Sequence, residues 1–475
     1  MFTFLISVGF LVFGYLVYGR FVERIFGADK GKKTPAYEMT DGVDYVPMSW
    51  PRIFLIQFLN IAGLGPIVGA VLGAVYGPIA FLWIAIGCVF GGAVHDYLSG
   101  MMSVRRDGQS VSEIVGVYLG KGAKHFMTIF TLILMIMVGA VFIKGPANIL
   151  NTLSNDYMGV TFWIWVIFIY YIAATLLPIN KLIGRLYPVF GVALLFMAIG
   201  ITCCLFFQDY TIPELTADTF RNMNANPDKF PVFPMLFVTI SCGAISGFHA
   251  TQSPLMARCL TNEKHGRKVF YGAMIAEGIV AMIWAAAGMA FYGGVAELNA
   301  ELAKNQGNAT SIVSLISNTM MGRVGGTLAI LGIVAAPITT GDTAFRSARL
   351  IVADFFNYPQ GKIIKRLIIS VPLFVAGYIL TRINFDIIWR YMFWSNQVLA
   401  TIVLWTITIY LKQEKRLYII TLLPAIFMTA VCSTYILIAP EGFELEHNIS
   451  YIIGLTATLL ICIFFFIRTR VIKKP

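Results

Sequence analysis

The chain has 475 residues, 58% of them hydrophobic and 12% charged, with a mean hydropathy of +0.77. That is more apolar side chain than a soluble domain of this size can bury, so water is excluded as its main solvent. The formal charge of +11 would suit nucleic acid only if the basic residues shared one solvated face; they lie instead in short segments between apolar runs, and nucleic-acid binding is set aside.

Apolar runs of about 20 residues recur along the whole chain, the length at which a helix crosses roughly 30 Å of hydrocarbon with its backbone satisfied internally. Hydropathy predicts an all-α membrane protein of 13 spans, at residues 2–19, 53–76, 79–102, 126–145, 160–178, 187–207, 233–254, 269–293, 325–345, 367–381, 385–411, 417–438 and 449–467. The first run is read as a retained span: no basic segment precedes it, it lacks a small-x-small cleavage site, and Arg20 and Arg24 follow it.

The second span is interrupted by Asn60-Ile-Ala62-Gly63-Leu-Gly65-Pro66, and Gly69 follows. The third carries His95 and Asp96 towards its later end. The seventh is interrupted by Ser241-Cys-Gly-Ala-Ile-Ser246-Gly-Phe-His249-Ala-Thr251-Gln252-Ser-Pro254. Glu277 lies in the eighth span, Ala336-Pro337-Ile-Thr339-Thr340-Gly-Asp342-Thr343 in the ninth, and Trp394, Asn396 and Gln397 in the eleventh. The seven cysteines show no metal-ligand spacing and read as small buried hydrophobes.

Of the 35 Lys and Arg, 28 fall in alternate inter-span segments. The other side holds Lys144, Arg221, Lys229, Lys304, Arg323, Arg382 and Arg390. By the positive-inside rule the N-terminus is external and the C-terminus cytoplasmic.

The two interrupted spans are five apart and therefore run in opposite directions. This predicts an inverted repeat of five helices plus five, with one extra helix before it and two after. The expected units are an N-terminal helix and cytoplasmic loop (1–52), a first repeat (53–207), an external loop (208–232), a second repeat (233–411) and a C-terminal helix pair (412–475). Unwinding in mid-membrane frees N–H groups at one half-helix and C=O groups at the other, which hydrocarbon penalises unless a ligand or a hydrated cavity meets them. An anionic group suits the first and a cation the second.

The strings Asp41-Gly-Val-Asp44-Tyr45-Val-Pro47, Ile61-Ala-Gly63-Leu-Gly65-Pro66, Gly92-Ala-Val-His95-Asp96 and Arg105-Arg-Asp107-Gly108-Gln-Ser110 resemble signatures of the carbon starvation CstA family. So do Ile179-Asn180-Lys-Leu-Ile-Gly184-Arg185, the Ser241–Pro254 string, Ala335-Ala-Pro337 through Arg346-Ser347, and Arg390-Tyr-Met-Phe-Trp394-Ser-Asn396-Gln397. The resemblance covers roughly residues 1–410. It implies a multi-pass carrier of the bacterial inner membrane with a LeuT-like core, induced when carbon runs short and linked to peptide uptake or to proton-coupled pyruvate uptake. The C-terminal third is shorter than in long-form members.

Ionisable side chains inside spans are costly and mark function by default. His95, Asp96, Glu277 and Asp342 are therefore candidates for ion or proton coupling, with Thr339 and Thr340 beside Asp342. The competing role for Asp342 is an ion pair with Arg346 at i+4. For His95 and Asp96 a hydrogen bond between helices competes with a proton relay. The candidate substrate contacts are Asn60, Gly63, Gly65, Ser246, His249, Thr251, Gln252, Trp394, Asn396 and Gln397. By fold-level analogy with LeuT-like carriers, carbonyls near Ala62 and Gly65 with the hydroxyls of Thr339 and Thr340 are where Na+ would bind, if the coupling ion is Na+ and not H+. Asp41, Asp44, Arg105, Arg106 and Asp107 are expected either as an inner gate of ion pairs or as solvated loop charges.

The reading is a secondary transporter whose partners are a small-molecule substrate and the bilayer; it leaves oligomeric state open. An ion channel would need a continuous pore, and a sensory protein an appended soluble domain, whereas no loop here exceeds about thirty residues by the hydropathy boundaries. No enzyme is expected, since H-E-x-x-H, G-x-S-x-G and P-loop motifs are absent.

Overall fold

A computed structural model of the chain describes residues 1–475 except 155–156, 177–182, 306, 384 and 472–475. The signature residues 179–182 therefore lie outside the described residues. The architecture is helical: α1 (Phe2–Phe26), α2 (Trp50–Ile61), α3 (Gly65–Tyr76), α4 (Ile79–Val104), α5 (Lys121–Leu153), α6 (Val160–Leu176) and α7 (Ile183–Phe207) form its first half. The second half comprises α8 (232–239), α9 (Gly247–Ala257), α10 (Glu263–Phe291), α11 (Ala309–Phe355), α12 (Ile363–Leu380), α13 (Phe385–Gln413), α14 (Ile419–Ile438) and α15 (His447–Val471).

Among the described residues nine helices are long and apolar enough to cross a membrane, or ten with the bent pair α2–α3 counted as one span. The other predicted spans fall on shorter or broken elements: 160–178 on the 17-residue α6, 233–254 on the fragments α8 and α9, and 325–345 within α11, where Gly322 breaks the helix at φ 64°. Thirteen crossings remain an expectation. On α1 and α15 the residues Phe2, Ile6, Phe13, Ile452, Leu459 and Phe464 are exposed. Their apolar faces suit contact with lipid, where no hydrophobic gain distinguishes protein from hydrocarbon.

Both expected interruptions are present. The axis of α2 turns by 56° into α3. Ala62 leaves helical geometry (ψ 50°), and the chain re-enters helix at Gly65 with Pro66 in its first turn, where a missing N–H costs nothing. The second break is earlier and shorter than the polar string in the sequence: helix ends at Thr239, Ile240 is non-helical, and helix resumes at Gly247, so His249, Thr251, Gln252 and Pro254 all lie on regular helix.

The two breaks touch. A Cβ at Gly65 would lie 2.3 Å from Cys242 Sγ and one at Gly73 2.1 Å from Ile240 Cγ1, so close approach requires glycine at these positions. The second break's free backbone is satisfied by side chains of other helices. Trp83 Nε1 donates to the Ile240 carbonyl (2.9 Å) and Gln397 Nε2 to that of Ile245 (3.1 Å), while Asn396 Oδ1 accepts from the Phe248 N–H (2.6 Å). An unmade bond at such a group would cost about 1–3 kcal/mol. Residues of α4 and α13 thus hold the break open.

Candidate functional site

Beside the second break, four fully buried side chains from α4, α9 and α10 form a continuous line. Asp96 lies between two imidazoles, Oδ1 2.8 Å from His95 Nδ1 and Oδ2 2.8 Å from His249 Nδ1. The far nitrogen of His249 is 3.3 Å from Glu277 Oε2, close but not aligned as a hydrogen bond. Taking an ion out of water costs several kcal/mol, so an ionised Asp96 requires the two N–H donors it faces. Each Nδ1 then carries hydrogen, and His249 Nε2 faces Glu277 as the open end of the line. That contact is favourable only with a proton held between the two, on the carboxyl or on the imidazole. The arrangement can therefore accept, hold and pass one proton.

Helix geometry explains the assembly. His95 and Asp96 sit in a tightly packed stretch of α4, where Gly92 approaches the Ala244 carbonyl of the second break and Gly100 faces the Phe270 ring. Cys88 donates to the Met274 carbonyl and tucks beside Gly278, holding α4 against α10 one turn from Glu277. Among the described residues no three His, Cys, Asp or Glu side chains are disposed to hold a metal ion.

The structure draws the predicted coupling residues into two groups. His95, Asp96 and Glu277 join His249, which the sequence offers as a substrate or proton contact or as a structural hydrogen bond. Asp342 stands apart: its Oδ2 accepts from the Tyr187 hydroxyl (2.6 Å), which also lies 3.1 Å from the Thr339 carbonyl. Arg346, the expected partner of Asp342, instead reaches Asp44 (3.0 Å) and the Ala174 carbonyl (2.7 Å).

Of the hydroxyls expected to hold sodium, Thr340 Oγ1 approaches the first break, donating to the Leu59 carbonyl (3.2 Å), and Thr339 Oγ1 donates to the Ala335 and Ala336 carbonyls of its own helix.

Of the expected substrate contacts, Gly65 and Asn396 border a cavity of about 20 Å³ between the breaks, closed by Phe142, Phe248 and Phe393. That volume holds about one water. Ser246 bonds Asn396 (3.2 Å) and Gln252 Nε2 donates to Thr251 (3.0 Å), while Gln252 Oε1 is buried without a partner among the described residues. Gly63 packs on Thr340 and Phe142. Asn60 is fully buried, and neither atom of its amide has a hydrogen-bond partner among the described residues; the same holds for Gln57, one turn earlier. Trp394 Nε1 donates to the Cys432 carbonyl of α14 (3.1 Å), which ties α13 to the C-terminal pair. A larger cavity, about 550 Å³, borders the second break on its apolar side, lined by Trp83, Gly91, Phe237, Ile245 and Phe427 among others.

At the end of the bundle that carries residues 27–49, two of the charges predicted as a gate, Asp44 and Arg105, form ion pairs, with partners the sequence did not announce. Asp44 binds Arg346 and Arg349, Arg105 binds Glu263 (3.1 Å), and Arg106 reaches the Tyr118 hydroxyl (3.0 Å). Asp41 folds its own loop, accepting from the N–H groups of Val43, Asp44 and Tyr45, and the Asp107 carbonyl accepts from Tyr45. Burial alone would raise the Asp44 carboxyl; the guanidinium of Arg349, then that of Arg346, outweigh it and hold it well below the usual carboxylate range. Arg346 and Arg349 are spaced i, i+3 on one helix face, the signal by which they could have been found.

The model of the carbon starvation protein CstA family matches residues 1–161 and 151–319. The chain belongs to this family. A membrane protein of Haemophilus influenzae is 44% identical over 62% of this chain and 91% of its own length. The peptide transporter CstA of Campylobacter jejuni is 27% identical over 94% of this chain and 82% of its own. The pyruvate/proton symporter BtsT of Escherichia coli is 28% identical over 58% of this family member and 47% of its own length. Among solved structures, the manganese transporter of Eremococcus coleocola superposes with TM-score 0.56 at 10% identity, covering 91% of this chain and 99% of that one, a likeness of fold alone.

Proposed function

We propose that this CstA-family protein is a proton-coupled symporter importing small organic nutrients that carry a carboxylate, pyruvate-like acids or short peptides, across the bacterial inner membrane during carbon starvation. The observation that carries the reading is the line His95–Asp96–His249–Glu277, buried against a helix break that touches its counterpart in the other half of the chain. The proton sits between His249 and Glu277. Because α9 follows the break directly, movement of its first turn separates the two groups and changes the proton's affinity, which links proton transfer to opening.

A LeuT-like inverted repeat supplies the two breaks, and the N-terminus lies outside. The substrate takes the place now filled by internal contacts among Gly65, Ser246, Asn396 and the orphaned amide of Asn60. Asp342, held by Tyr187, is a second protonatable group on the other side of the core. The relatives' names support both peptide and pyruvate as cargo.

Uptake by purified protein in liposomes tests the proposal, with labelled pyruvate compared with di- and tripeptides under separately imposed pH and sodium gradients. An inward proton gradient alone is expected to drive accumulation of one of these substrates. Accumulation driven by sodium alone, or unitary currents of channel size, would contradict it.

A further inference from the structure

We infer that Arg346 and Arg349 form a second carboxylate-binding site, at the end of the bundle assigned above to the cytoplasm, and that Asp44 is its built-in occupant. Asp44 is 2% exposed and both arginines are fully buried. Its Oδ1 is 3.0 Å from Arg346 Nη1, and Arg349 Nη2 lies 3.3 and 3.2 Å from Oδ1 and Oδ2. This is how a planar guanidinium pair receives any carboxylate.

Three features distinguish a site from a simple structural ion pair. Two guanidinium groups converge on the carboxylate of Asp44, while Arg258, also buried and near, is matched by Asp354 (3.3 Å). Arg349 Nε remains a buried donor without a partner among the described residues. The occupant comes from a separable element. Asp44 sits on the loop that leads into α2, prefolded around Asp41 and fastened to the chain after α9 by the Met48 N–H on the Cys259 carbonyl (3.2 Å). The arginines belong to α11. Any motion that draws the α2 entry away from α11 must lift Asp44 out and leave the guanidinium groups open.

A small pocket of about 10 Å³ lies between Thr251 of α9, Ser347 and Arg258, one residue along α11 from Arg346. Ser347 Oγ bonds the Thr251 carbonyl (3.0 Å). Resting on the symporter reading, the site's role is exchange: in the open state the substrate's carboxylate replaces that of Asp44 as it leaves, and re-entry of Asp44 expels it. The repulsion between two buried guanidinium groups left bare would otherwise oppose opening.

The experiment removes the occupant and offers a substitute. Asp44→Gly is purified, and its thermal unfolding is followed with formate, with neutral formamide and with chloride at matched ionic strength. Saturable stabilisation by formate, beyond that by chloride and absent with formamide, is expected in the variant and not in the unaltered protein. It should disappear when Arg349→Gln is added. Equal effects of all three solutes, or equal formate effects with and without Asp44, overturn the proposal. Asp44→Ala repeats the test with a stiffer loop. If neither variant is recovered folded, yields with formate and formamide are compared; formate-dependent recovery supports the site, and formate-independent loss overturns it. The readout is stability, so failure of carboxylate uptake with formate rescue intact would sink the symporter reading and leave the site standing.

Discussion

Asp96 and Asp44 are both buried carboxylates facing two nitrogenous partners, and the difference between them is chemical. Imidazole can take up and release a proton, which suits Asp96 and its partners to the proposed proton line; guanidinium cannot, so Asp44 stays ionised. Because the native carboxyl of Asp44 lies below its unfolded value of about 3.9, its contribution to stability is complete above that pH and fades as pH falls through the native value. Thermal midpoints compared between the unaltered protein and Asp44→Asn should differ by a constant amount from pH 7 to about 5 and converge below about 4. A gap that widens on acidification would show that Asp44 is not held ionised. Sequence alone marked His95, Asp96, His249, Glu277 and Asp342 because charge in an apolar run is conspicuous. It did not pair them: Asp96 and His249 are 153 residues apart, and Tyr187 carries no local sign that it will meet Asp342.

The broken helices were the most legible elements, since glycine, proline and small polar residues in mid-span are strong punctuation against a long apolar background. Their extents were less so. The string at 241–254 looked polar to its end, yet residues 247–257 are helical because Asn396 satisfies an N–H that begins the turn. Contact between the breaks gives a reciprocal test. Gly65→Ala places a methyl group against Cys242 Sγ and Cβ, and overpacking of this kind costs about 1–3 kcal/mol. Adding Cys242→Gly removes both obstructing atoms and should restore most of the lost thermal stability. If Gly65→Ala is neutral, or the pair is additive, the breaks are not in the proposed contact.

Across the molecule, the composition fixed the solvent and the helical class, and hydropathy located helices for every span, but it counted crossings more freely than the described helices support. Length was the reason: α6 is 17 residues, and α8 and α9 are fragments that a sliding window joins. Only about 20 Å³ lies between the breaks, and residues 27–49 are tied to α10 by the Asp29 N–H on Glu263 (2.9 Å) and to α11 by the buried ion pairs of Asp44. Under the proposed symport, a proton bound between His249 and Glu277 governs opening of this arrangement. The direct test is Glu277→Gln in proteoliposomes, with the substrate that the unaltered protein accumulates. Loss of accumulation under an inward proton gradient, with counterflow exchange of that substrate retained, is the predicted result; full gradient-driven accumulation by the variant would contradict a proton held between His249 and Glu277.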